Sequence, residues 1–136
     1  MMINAQISPA GHELIPHQGV VCLIGEDPAV RDSLAALLQA HGYGVIAEAR
    51  HDRPSILPMI GVFCVVLDPH REGYGEAEVI AQTRAAFPDL PMIAISHGLE
   101  RPLPPSARVE SMLEKPLSPQ RLLDAVGRLR RCRGAP

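Results

Sequence analysis

Short apolar runs alternate along this chain with segments whose apolar residues recur at helical spacing. Val20–Ile24 is continuously apolar, the pattern of a strand covered on both faces. Asp27 then offers an N-cap and Pro28 a first helical residue. Val30, Leu34, Leu37 and Leu38 follow on one face, and Gly42 closes the predicted helix. Residues 43–49 predict a second strand. Residues 52–60 contain Pro54 and Pro58, so any helix there is short or irregular. Val62–Leu67 is the strongest strand signal, wholly apolar and rich in β-branched residues. Residues 76–87 predict a helix with Val79, Ile80, Thr83 and Phe87 on one face, stopped by Pro88. Residues 92–95 form a fourth strand signal that ends at Ser96. Pro102, Pro104 and Pro105 make residues 98–107 mostly loop. Residues 109–113 predict a fifth strand. Ser118 and Pro119 open a last helix with Leu122, Leu123, Val126 and Leu129 facing inward.

Strand and helix alternate, which predicts an α/β domain: a doubly wound parallel sheet with right-handed crossovers and helices on both faces. Residues 1–18 lack apolar periodicity and read as a flexible N-terminal extension, leaving residues 19–133 as one domain. In such sheets ligands bind beyond the carboxyl ends of the strands. The residues expected there are Gly25, Glu26 and Asp27, then Asp68, Ser96 and Lys115. Lys115 stands out because every other member of the thirteen Lys+Arg residues is an arginine. A compact ammonium and a planar guanidinium are not interchangeable in a tight site. Two carboxylates, a hydroxyl and an ammonium at neighbouring strand ends suit phosphoryl chemistry on a carboxylate. Glu26 and Asp68 are candidate Mg²⁺ ligands, Asp68 a nucleophile, Ser96 a hydrogen-bond donor and Lys115 a counter-charge.

Composition narrows the alternatives. The net charge of −2 predicts neither nucleic-acid nor membrane binding. An aromatic content of 3% without tryptophan removes the usual stacking platforms for bases. The sequence has no membrane-length apolar run and no secretory leader pattern, so a cytoplasmic location is expected. Cys22, Cys64 and Cys132 lack metal-ligand spacing, and the first two lie in apolar strands, as buried thiols do. No glycine-rich phosphate loop is present, which argues against a nucleotide-binding enzyme.

The segments VVCLIGEDPAVRDSLAALLQAHGY, VFCVVLD, FPDLPMIAIS and LEKPLSPQRLLDAVGRL together resemble the receiver domain of bacterial two-component response regulators. The resemblance implies a flavodoxin-like five-stranded sheet in the order 2-1-3-4-5. It implies Asp68 as phosphoacceptor, Ser96 as switch hydroxyl and Lys115 as counter-charge ahead of a cis Pro116. It implies a Mg²⁺ site made by Glu26, Asp68 and the backbone carbonyl of His70, with Asp27 as a further candidate. The implied protein is a single-domain signalling module and not an enzyme. Its implied partners are a histidine kinase or phosphotransfer protein and a downstream protein, with homodimerisation left open. The chain also departs from the family pattern. Gly25 stands where the first of two acids is usual, Glu72 replaces a common proline, His97 a small residue and Met112 an aromatic. The fourth helix is expected to be short or missing. These departures predict Mg²⁺ binding that is weak or lost, and they support an alternative: a phosphorylation-independent pseudo-receiver acting as a protein-interaction module.

Overall fold

A computed structural model describes residues 18–50, 61–99 and 102–134. The elements run β1 (Val20–Ile24), α1 (Pro28–Ala40), β2 (Gly44–Glu48), β3 (Val62–Leu67), α2 (Glu76–Ala86), β4 (Met92–Ser96), β5 (Ser111–Glu114) and α3 (Pro119–Gly134). The five strands form one sheet in the order β2-β1-β3-β4-β5, and every pairing is parallel. This is the flavodoxin-like order that the resemblance to receiver domains implies, and the parallel pairing is what the alternating pattern predicts. The N-terminal extension up to residue 17 and the proline-containing stretch 52–60 lie outside the described residues. No helix occurs within 102–110, so the fourth helix is missing among the described residues.

Alternation along the strands divides the core. Val21, Leu23, Val45, Val66, Ile93 and Ile95 face one way and pack against Leu34 and Leu38 of α1 and Leu122, Ala125 and Val126 of α3. Val20, Cys22, Ile24, Val65, Leu67, Met92 and Ala94 face the other way, against Val79 and Ile80 of α2, Phe87 and Ala107. Period-two strands with helices on both faces require this division. Cys22 and Cys64 are buried thiols outside any disulfide, one in each cluster. Burial, helped by the nearby Glu48 charge, pushes the Cys22 thiol up to about 12, so it stays protonated and inert.

Helix α1 begins as the sequence predicts. Asp27 accepts hydrogen bonds from Ala29 N at 2.9 Å and Val30 N at 3.4 Å, and Pro28 occupies the first turn. Beyond the helix Gly42 takes a positive φ of 93°, which disfavours residues with a Cβ.

The fifth strand is corrected: it runs over Ser111–Glu114 rather than 109–113. The cause is Arg84, a buried guanidinium on α2 with only 5% of its side chain exposed. Its nitrogens donate to the carbonyls of Phe87 (3.0 Å), Pro88 (3.3 Å), Leu90 (2.7 Å) and Arg108 (2.7 and 2.9 Å), and to Glu110 Oε1 at 3.1 Å. Glu110 Oε1 also accepts from Met92 N at 2.7 Å, and Oε2 accepts from Arg108 Nε at 2.8 Å. Residues 108–110 are therefore held by this cluster, and regular strand pairing begins only at Ser111. Arg84 fastens the segment ahead of β5 to α2 and to the turn before β4, in a stretch of chain where no fourth helix forms.

Candidate functional site

The carboxyl ends of β1, β3, β4 and β5 bring the candidate residues to one edge of the sheet. Asp68 directly follows β3, and its backbone N–H donates to Ile24 O at 2.9 Å, which ties it to the end of β1. Lys115 follows β5, and its N–H donates to Ser96 O at 2.9 Å. Four strand ends are therefore joined in two pairs, β1 with β3 and β4 with β5, through backbone hydrogen bonds before any side chain is considered. The Lys115–Pro116 peptide is cis.

Lys115 Nζ lies 3.1 Å from Asp68 Oδ1 in an ion pair whose carboxylate is 6% exposed. His70 N–H also reaches Oδ1, at 3.3 Å. Asp68 Oδ2 has no hydrogen-bond partner among the described residues. A cavity of about 520 Å³ opens onto Asp68 and Lys115. Its walls are mainly apolar: Val30, Leu34 and Leu37 of α1 on one side, Pro116 and Leu117 on the other.

Ser96 is buried, but its hydroxyl is turned elsewhere. It donates to Glu76 Oε1 in the first turn of α2 and accepts from Gly98 N at 2.8 Å. Glu76 Oε2 accepts the His97 N–H at 3.2 Å. The His97 side chain is exposed and borders a second cavity, of about 560 Å³, between the start of α2 and Pro102 and Pro104. It does not line the groove that opens onto Asp68. Sequence reasoning missed Glu76. The available signal was an acid in the first turn of the helix after β3, which also reads simply as a dipole-complementing residue.

We expect Glu76→Ala to destabilise the domain by about 1–2 kcal/mol, because the buried Ser96 hydroxyl and the His97 N–H both lose their acceptor. Glu76→Gln keeps an acceptor oxygen and should cost clearly less. Urea denaturation of the two variants beside the parent checks this. Equal losses would mean that the network does not carry the effect.

The acidic loop after β1 differs from a metal-binding arrangement. Asp27 Oδ1 caps α1 and is thereby committed to backbone N–H groups. Glu26 Oε2 faces Arg71 Nε at 3.4 Å and Arg50 Nε at 4.0 Å. Arg31 Nη1 donates to Gly25 O at 2.7 Å and lies 3.5 Å from Glu26 O. A Cβ added at Gly25 would lie 3.2 Å from Asp68 Cβ, a tight contact at which Asp68 would have to give slightly. Among the described residues no three His, Cys, Asp or Glu side chains converge as a metal site. Mg²⁺ binds through carboxylates and retained waters, and here one of the two carboxylates in the cleft already faces guanidinium groups. The residues present do not fit the metal. Of the predicted set Glu26, Asp27, Asp68 and the His70 carbonyl, Asp27 serves as the cap of α1 and Glu26 faces Arg71 and Arg50.

No helix among the described residues is long and apolar enough to cross a membrane. No protein-family model matches the chain. The chain is 28% identical over 111 residues to a response regulator receiver protein of Anaeromyxobacter sp. (strain Fw109-5), covering 82% of this chain and 45% of the relative. It therefore spans about half the length of that curated relative. The fold superimposes on full-length FixJ from B. japonicum with a TM-score of 0.63 and 25% identity, over 83% of this chain and 58% of the other. It also matches the response regulator protein TrrA from Thermotoga maritima, solved in complex with Mg²⁺-BeF. That match has a TM-score of 0.65 at 20% identity and covers 82% of this chain and 98% of that one. The 2-1-3-4-5 sheet and the sequence similarity agree: in fold and in sequence this chain is similar to response regulator receiver domains.

Proposed function

We propose that the domain serves two-component signalling by accepting a phosphoryl group on Asp68. The observation that carries the reading is the Lys115–Asp68 pair at 3.1 Å, set at the inner end of an open groove. Oδ1 is held by Lys115 and the His70 N–H, so Oδ2 is the oxygen left to attack phosphorus. A P–O bond forms there as the P–N bond of a phosphohistidine or phosphoramidate breaks, and the leaving nitrogen takes a proton. The product is an acyl phosphate. Its added negative charge lies beside the Lys115 ammonium, which balances it electrostatically. The donor is a histidine kinase or phosphotransfer protein, and the output is a protein–protein contact rather than catalytic turnover.

A second reading, a phosphorylation-independent interaction module, draws support from the engagement of Ser96 with Glu76. Incubation with phosphoramidate followed by intact-mass measurement separates the two. The expected result is one added phosphoryl group, absent from Asp68→Ala. An unchanged mass with the parent protein, or an adduct surviving in Asp68→Ala, defeats the acceptor reading.

A further inference from the structure

We infer that Arg71 takes the place of a divalent cation in this cleft, so that the domain holds its acidic loop with a resident guanidinium and does not bind Mg²⁺. The inference concerns the cleft of the proposed acceptor, but its test does not depend on phosphorylation. Three observations support it.

The first is the charge inventory. Glu26 faces Arg71 at 3.4 Å and Arg50 at 4.0 Å, Asp68 faces Lys115 at 3.1 Å, and Arg31 lies on the carbonyls of the same loop. Each of these two carboxylates already has a cation beside it, so an arriving dication would meet like charge at both, and like charges repel most strongly where water is partly excluded.

The second is that Arg71 is built into position. Its side chain is 13% exposed, its guanidinium carbon lies 4.2 Å from the Tyr74 ring centroid, and Nη1 lies 3.4 Å from Gln82 Oε1 on α2. Cation–π and hydrogen-bond contacts hold a guanidinium better than a lone surface ion pair would. Sheet order supplies the convergence. β1 lies between β2 and β3, so Arg50 follows the strand on one side of the Glu26 loop and Arg71 follows the strand on the other.

The third is Gly25. With no side chain there, the loop lacks a further carboxylate to attract a metal, at a position whose Cβ would come within 3.2 Å of Asp68 Cβ.

Magnesium chloride titration, followed by backbone amide shifts of residues 25–27 and 68–71, tests the inference. The parent protein should show no saturable shift at millimolar Mg²⁺. Arg71→Ala should gain saturable binding, tighter than the parent by about tenfold or more, and adding Glu26→Gln should abolish the gain. Arg71→Lys, which keeps the charge, should stay unresponsive. Should Arg71→Ala not fold, as the same spectra would reveal, Arg71→Gln replaces it as the neutral variant. Saturable millimolar binding by the parent, or a neutral variant no more responsive than the parent, overturns the inference. Phosphoramidate labelling in EDTA separates the two readings. Failure to label at all, with or without Mg²⁺, removes the acceptor and leaves the titration result standing.

Discussion

Arg84→Met should destabilise the domain by about 3–5 kcal/mol at neutral pH, the range for removing one partner from a buried charged network. The methionine fills much of the aliphatic volume, so the loss reports on hydrogen bonds and charge rather than on a cavity. It strands the carbonyls of Phe87, Leu90 and Arg108 and deprives Glu110 of its buried cation. The deficit should depend on pH. Burial alone would raise the Glu110 carboxyl. The Arg108 hydrogen bond, the Met92 N–H and the Arg84 and Arg108 charges outweigh it, so the net shift is downward. A carboxylate whose folded-state value is depressed contributes stability above its unfolded value, about 4.3. That contribution disappears as pH falls through the folded value. Part of it depends on Arg84, so the difference between parent and variant should shrink when urea denaturation is repeated below about pH 4. A deficit under about 1 kcal/mol at neutral pH would mean that the cluster is a surface-like pair of little consequence.

The same residue explains where reading the sequence stopped. β1 and β3 were legible to the residue because an unbroken apolar run has few other uses in a chain of this size. The helix stripes were legible from spacing, and the strand-end positions of Asp68, Ser96 and Lys115 followed from the strand boundaries. The fifth strand was displaced because Glu110 and Arg108 answer to Arg84, more than twenty residues earlier, and no local pattern encodes that partnership. A signal existed: Arg84 lies four residues after Ile80 and three before Phe87, on the buried stripe of α2. A charge on an apolar stripe announces a buried partner without naming it. The acidic loop was legible in part. Asp27 was expected as the N-cap of α1 and caps it, whereas the guanidinium groups of Arg50 and Arg71 that face Glu26 follow other strands, and no local pattern encodes that partnership. Ser96 was placed correctly on the backbone, but the direction of its hydroxyl was set by Glu76 on another element.

Lys115→Met should cost about 2 kcal/mol, less than a fully buried pair because the lysine side chain is 21% exposed. The loss arises on the aspartate side: a carboxylate that is 6% exposed keeps only the His70 N–H, at 3.3 Å, among the described residues. Asp68→Asn should cost less than Lys115→Met, since the ammonium left behind can extend toward water on its flexible stem. The double variant should be more stable than Lys115→Met alone, because it carries no unpaired buried charge. A double-mutant cycle should therefore give a coupling of about 1–2 kcal/mol. That coupling should persist in molar salt, where exposed pairs are screened away and sheltered ones are not. A coupling near zero would mean that the lysine is an ordinary surface cation resting near the site. A retained coupling would make this single lysine a structural counter-ion before any phosphoryl group arrives. The same ammonium would then hold the acceptor carboxylate in place at rest and balance the charge of the acyl phosphate formed on it.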